Sequence, residues 1–213
     1  MNARLLGAAL TFAVTLTGCG PSVDMDAIAA AATAKVGQAA PAFTLVDSAG
    51  QRRSLAEFAG RTVVLEWTNH GCPFVKKHYG ADNMQRQQRD ATAGGVVWLT
   101  INSSAPGKQG HVDGAGAEAV RADAKAAQSA YLLDPDGSTG RAYGAMTTPH
   151  MYVIDPAGVL RYAGAIDSIQ SADPDDIPAA TQYVPQALAE LAAGRPVSVD
   201  VTRPYGCSVK YAS

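Results

Sequence analysis

The order of elements read from this sequence predicts an α/β fold, and three observations carry that expectation. Strand-like and helix-like stretches alternate along the chain, which is the order of a sheet flanked by helices. Val63 to Trp67 and Val96 to Ile101 are short, nearly continuous apolar runs. Such runs are expected of strands covered on both faces. Between and after them, Pro73 to Arg89, Ala117 to Ala130 and Ala179 to Ala193 are rich in helix formers. The 213-residue chain is 47% hydrophobic and 17% charged with a net charge of −2. That balance suits a packed globular domain and offers no basic footprint for nucleic acid.

The chain opens on a segment that does not read as part of this domain. Arg4 supplies a short positive region, and Leu5 to Leu16 is an apolar stretch too short to span a bilayer. Residues 1–18 are expected to be a signal peptide. Gly20 to Lys35 is Ala-rich with scattered Asp, a composition for a helical or disordered tether over 19–35. The ordered domain is expected to span 36–193, followed by a tail, 194–213.

Phe43 to Val46, the turn Asp47-Ser48-Ala49-Gly50 and Gln51 to Arg53 read as an N-terminal β-hairpin. Ser54 with Glu57 three residues on is a capping box for a short helix from Leu55 to Ala59, ended by Gly60. The strand Val63 to Trp67 then breaks through Thr68-Asn69-His70-Gly71 into a helix that begins at Cys72 or Pro73, where proline is well tolerated. That helix runs to Arg89 with an interruption expected at Gly80. The second apolar strand leads into a Gly/Ser-rich loop, Asn102 to Gly116, and then the Ala117 to Ala130 helix. Tyr131 to Leu133 is a short strand closed by Asp134-Pro135-Asp136-Gly137. One or two helical turns follow over Ser138 to Tyr143. Met151 to Ile154, a turn, and Val159 to Tyr162 form a hairpin. Asp173 to Pro178 reads as a loop, and the last helix is regular only from Pro185.

The chemistry concentrates at Cys72. A cysteine at a helix N-terminus, just beyond the C-terminal end of a strand, meets unpaired N–H groups and the positive end of the helix dipole. A thiolate is stabilised there, and His70 and Lys76 place further positive charge nearby in sequence. The competing reading is a small buried apolar residue. No glycine-rich phosphate-binding loop follows a strand in the required pattern, and no cofactor is expected.

Leu16-Thr17-Gly18-Cys19 behind the apolar stretch resembles the lipobox of bacterial lipoproteins. The resemblance implies cleavage before Cys19, a lipid on its sulfur, and a membrane-anchored protein of the bacterial cell envelope facing the periplasm. Gly20 in place of aspartate favours the outer membrane. The three cysteines are Cys19, Cys72 and Cys207. With Cys19 lipidated, two remain in an oxidising compartment where thiols tend to pair.

The domain itself resembles the thioredoxin-like superfamily, within it the redoxins that include peroxiredoxins and envelope thiol-disulfide proteins. Pro41 to Leu45 with Gly60, Trp67 ahead of a helix-opening cysteine, and Thr148-Pro149 before the late hairpin carry the likeness. It implies a central mixed sheet flanked by helices, a cis Pro149 packed against Cys72, and thiol-disulfide or peroxide redox chemistry. It departs from thioredoxins at Val75, where they place a second cysteine, and from peroxiredoxins at Asn69, where they place a hydroxyl residue; Thr68 is one place off. The Gly206-Cys207-Ser208-Val209-Lys210 tail is similar to one found in peroxiredoxin-like redoxins.

The resemblance thus implies Cys72 as nucleophile and Cys207 as its disulfide partner, with Pro149 shaping the substrate groove. Thr68 and His70 would tune the thiolate. Bridging Cys72 and Cys207 closes a loop of about 135 residues, a constraint on the unfolded chain of roughly 5 kcal/mol in the entropic account. A redox pair and a structural disulfide both remain open, as do a peroxide and a protein disulfide as substrate. The alternative function is a non-catalytic binding module for a protein partner or for copper. His70 and His150 with Met146 or Met151 supply soft-metal donor types; His78 and His111 complete the histidines. No spacing is diagnostic of a metal site, and none is assigned.

Overall fold

The computed structural model describes residues 34–212. The expected signal peptide, Cys19 and all but the last two residues of the tether lie outside the described residues. A hairpin opens the fold: β1 (Thr44–Asp47) pairs antiparallel with β2 (Arg52–Ser54). Its turn is held by the Asp47 carboxylate, which accepts from the N–H groups of Ala49 and Gln51. Leu55–Phe58 is a single 3₁₀ turn, with Glu57 accepting from the Ser54 N–H at 2.6 Å as the capping box requires.

Strand β3 (Val63–Trp67) leads through the cysteine turn to α1 (Pro73–Gly80) and α2 (Asn83–Ala93). The expected interruption falls at Asp82, whose φ of 56° breaks the helix just after Gly80. Strand β4 (Val97–Asn102) follows, then α3 (Gly114–Asp123), β5 (Ala130–Leu133) and α4 (Ser138–Tyr143). Helix α3 starts earlier and ends sooner than its alanine content suggests. The Asp113 carboxylate caps it at the Gly116 N–H, 2.8 Å away. At the other end the sheet competes for the chain: Ser129 donates to the Trp98 carbonyl and Ala130 pairs with Leu99. Helix propensity is a weak prior against such tertiary pairing.

The chain closes with β6 (Thr147–Thr148), β7 (His150–Ile154), β8 (Leu160–Gly164), α5 (Tyr183–Ala192) and β9 (Cys207–Ser208). The expected loop at Asp173 to Pro178 is a 3₁₀ turn, Pro174–Ala179, capped by the Asp173 side chain. Pro185 falls in the first turn of α5, which opens two residues before it.

The main sheet has the order β2-β1-β5-β4-β3-β7-β8. Strands β3, β4 and β5 run parallel; β1, β2, β7 and β8 are antiparallel to their neighbours. This is the mixed sheet that the redoxin likeness implies. All five residues of β3 are buried, and their alternation divides the core in two. Leu65 and Trp67 face Leu99, Ile101, Tyr143 and Tyr152 on one side. Val64 faces Trp98, Met84 of α2 and Val184 of α5 on the other.

The tail crosses between these layers. Tyr205 belongs to the α2/α5 side, whereas Val209 and Tyr211 belong to the opposite side. Cys207 lies where the chain passes over the C-terminal end of the sheet. There β9 pairs with β6, Thr148 opposite Cys207.

Candidate functional site

The site is built where β3 gives way to α1. The Asn69 carboxamide organises the turn, accepting from the Gly71 N–H at 2.9 Å and donating to both the main-chain and side-chain oxygens of Gln109. Cys72 donates its N–H to the Asn69 carbonyl and serves as N-cap of α1, with extended backbone ahead of Pro73. Against it stands β6, and the Thr148–Pro149 peptide bond is cis, as the likeness implies. Cys72 Sγ lies 3.1 Å from the Thr148 carbonyl oxygen, to which the thiol donates.

Strand β9 completes the enclosure. Gly206 allows it to come this close: a Cβ there would stand 2.1 Å from the Thr148 oxygen, and its φ of 132° is one that side chains rarely adopt. Cys72 is fully buried beneath this strand, and Cys207 is half-buried beside it. Both are free thiols, and Thr148 joins them: its carbonyl oxygen accepts from the Cys72 thiol while its backbone pairs with that of Cys207.

The two thiols differ in acidity. Burial pushes the Cys72 pKa up, but hydrogen bonding from the Cys207 side chain, the Val75 backbone, the Cys207 backbone and the Thr148 side chain outweighs it. Cys72 therefore lies below the ordinary thiol value. Cys207 is pushed up to about 11 by burial, by its hydrogen bond to Cys72 and by the Cys72 charge, with Lys210 pulling the other way. Cys72 ionises first, and the neighbouring Cys207 keeps its proton.

Cys72, Thr148, Pro149 and Cys207 are thus brought together from three distant parts of the chain. Thr68 and His70 lie along the flank, on a cavity of about 720 Å³ that Val75, Lys76, Tyr79 and Gln128 also line. Thr68 is buried, its N–H on the Ile101 carbonyl, and His70 is exposed. His150 is buried behind Pro149, its Nδ1 accepting from the Met146 N–H at 3.4 Å and standing 3.1 Å from the Tyr152 hydroxyl, which also donates to the Tyr143 carbonyl. Burial lowers its pKa to about 3, so it is neutral. Among the described residues, no three His, Cys, Asp or Glu side chains gather as a metal site.

Under the turn, Glu66 is buried without a cation. It accepts from Trp98 Nε1 (2.8 Å), the Tyr79 hydroxyl (2.8 Å), Gln88 Nε2 (3.1 Å) and Thr100 Oγ1 (3.1 Å). Burial raises its pKa despite these four donors. The inward-facing carboxylate is visible in the sequence as a lone charge inside an apolar run. The roles of Tyr205 and Gly206 are not, apart from the position of Gly206 next to Cys207.

Residues 36–163 match the AhpC/TSA family. A Mycobacterium tuberculosis protein named "Putative peroxiredoxin" is 30% identical over 140 residues, which is 62% of this chain and 77% of that one. The crystal structure of an uncharacterized conserved protein from Geobacillus kaustophilus superposes with a TM-score of 0.72 at 25% identity. The match takes in 84% of this chain and 93% of that one. A crystal structure titled "putative Thiol:disulfide interchange protein DsbE", from Chlorobium tepidum, has a TM-score of 0.51 at 24% identity over 62% and 85% of the two chains. It shows the fold alone.

Proposed function

This chain belongs to the AhpC/TSA family, and from that premise we propose that it is a thiol oxidoreductase cycling between the Cys72/Cys207 dithiol and an internal disulfide. The observation that carries the reading is the sulfur pair itself. Two free thiols meet at Thr148, Cys72 through its 3.1 Å bond to the Thr148 oxygen and Cys207 through strand pairing, one lowered in pKa and the other raised to about 11. Thiolates are the nucleophiles of thiol chemistry, and thiols of lower pKa leave faster.

Burial assigns the direction of exchange. In the oxidised protein the half-buried Cys207 sulfur is the one a partner can approach. An incoming thiolate attacks Cys207, forming a mixed disulfide there, and Cys72 departs as the better leaving group. A second partner thiolate then attacks the partner's own sulfur, releasing Cys207, which takes up a proton. The partner leaves oxidised.

Membership of the family and the name of the Mycobacterium tuberculosis relative favour a peroxide as the oxidant that restarts the cycle. The Cys72 thiolate attacks one peroxide oxygen and becomes a sulfenic acid, the other oxygen leaving as water or alcohol once protonated. Cys207 gives up its proton and attacks the Cys72 sulfur, and the sulfenic oxygen departs as water. We place this chemistry in the bacterial envelope, with the chain tethered through a lipid on Cys19; the lipobox-like Leu16 to Cys19 supports this.

Equilibration of the pair against glutathione tests the reading. A reversible Cys72–Cys207 disulfide with a potential above about −300 mV is expected, and a value well below that would make the bond structural. Peroxide turnover should stop in Cys72→Ser, and Cys207→Ser should accumulate a sulfenic acid on Cys72. Cys19→Ala protein that stays fully in the membrane fraction would remove the lipid anchor.

A further inference from the structure

A buried polar cluster joins the helix that begins at Cys72 to the segment that ends at Cys207. Lys77 and His78 come from α1, Asp167 from the loop after β8, and Tyr205 from the tail. The Tyr205 hydroxyl donates to Asp167 Oδ1. Lys77 Nζ and His78 Nε2 stand 3.7 and 3.8 Å from Asp167 Oδ2, all three side chains being 0% exposed. Asn83 donates to His78 Nδ1 at 2.8 Å, which puts the imidazole proton on Nε2, facing the Tyr205 oxygen at 3.3 Å. Phe74, two residues after Cys72, meets the Tyr205 ring edge to face at 5.8 Å.

A buried ion pair is a poor device for stability alone, because apolar side chains of the same volume often do as well. It is effective at fixing one arrangement among several. Here the arrangement fixed is that of the tail: two residues beyond Tyr205, Cys207 lands opposite Thr148, whose carbonyl oxygen accepts from the Cys72 thiol at 3.1 Å.

We propose that Tyr205, held by Asp167, is a positioning residue that sets Cys207 against Cys72. The proposal rests on the dithiol reading above. Removing the hydroxyl in Tyr205→Phe keeps the ring contact with Phe74 and releases the anchor. Cys207 then spends less time beside Cys72, and the largest influence that lowers the Cys72 pKa is weakened.

The test uses the full chain carrying Cys19→Ser, so that only Cys72 and Cys207 titrate. Ultraviolet thiolate absorbance gives the first thiol pKa, and equilibration with glutathione gives the stability of the disulfide. Tyr205→Phe should raise the first pKa and weaken the disulfide about tenfold, a shift of about 30 mV. Val97→Ala, a cavity at the opposite end of the sheet, should lower Tm while leaving both readings at their wild-type values. An unchanged thiol pKa and disulfide constant in Tyr205→Phe would overturn the proposal, whatever happens to Tm. So would an equal shift of both in Val97→Ala. Absence of a reversible disulfide in the wild type would instead refute the dithiol reading, and the thiolate titration would still decide the positioning role.

Discussion

Gly206→Ala tests the whole site through one methyl group. The added Cβ would stand 2.1 Å from the Thr148 oxygen and 2.8 Å from its carbon. Ordinary contact requires a shift of about 1 Å or more. The Thr148 carbonyl cannot give way freely, because it also accepts from the Cys72 thiol at 3.1 Å. Strand β9 must therefore lift. The clash and the disfavoured φ together cost about 2–4 kcal/mol, a Tm lower by about 5–15 °C for a chain of this length. Lifting β9 also separates the sulfurs, so the Cys72 pKa should rise toward the ordinary thiol value. Thermal unfolding and a thiolate titration read the two effects. Gly158→Ala is the control: its φ is +79° with nothing within 4 Å of the added carbon, so it carries the backbone strain without the clash. A Gly206→Ala protein with the Tm and Cys72 pKa of Gly158→Ala would refute this account of how the tail is seated.

Stability should also fall on mild acidification. His78 is lowered to about 4, mainly by burial, and His150 to about 3 by burial. Groups held below their unfolded value of about 6.5 contribute fully above that pH and lose the contribution as pH falls toward 4. Urea midpoints should therefore drop over this window, the fall partly offset by Asp134, whose carboxyl burial raises to about 6, and His150→Gln should flatten the slope; an unchanged slope would count against a neutral buried His150. Lys77→Met leaves Asp167 buried without its ammonium and should cost about 3–5 kcal/mol. Lys77→Met with Asp167→Asn should recover much of that loss, and a double variant no more stable than the single would contradict the ion-pair assignment. Glu66→Gln turns an N–H toward donors and should lower the urea midpoint by the equivalent of about 1–3 kcal/mol.

Local rules made much of the fold readable. The capping box at Ser54 and Glu57, the Asp47 turn, the apolar runs at β3 and β4, and the Pro73 helix start each act within a few residues. Each appears where its pattern stands. Reading failed where distant partners outbid local preference. The alanines after Asp123 are helix formers, but Ser129 and Ala130 are taken by the Trp98 and Leu99 edge of the sheet.

The site divides along the same line. Cys72 at a helix start and Thr148-Pro149 before a hairpin are local patterns, and they were legible. Cys207 could be singled out only through the cysteine count and its likeness to a known tail. Its effect on Cys72 depends on a crossing from one core layer to the other that no local pattern encodes. Tyr205 reads as a turn residue and Asp167 as loop charge until the fold buries them together with Lys77 and His78. In the folded chain these residues govern where the second sulfur lies. The acidity of Cys72 follows from that placement, because without the Cys207 hydrogen bonds burial would be met only by Val75 and Thr148. The reactivity of the cysteine motif is thus set in large part by the last ten residues of the chain, which cover Cys72 and hold Cys207 beside it, so removing them should expose Cys72 and speed its alkylation. Alkylation no faster than in the full chain would contradict that dependence.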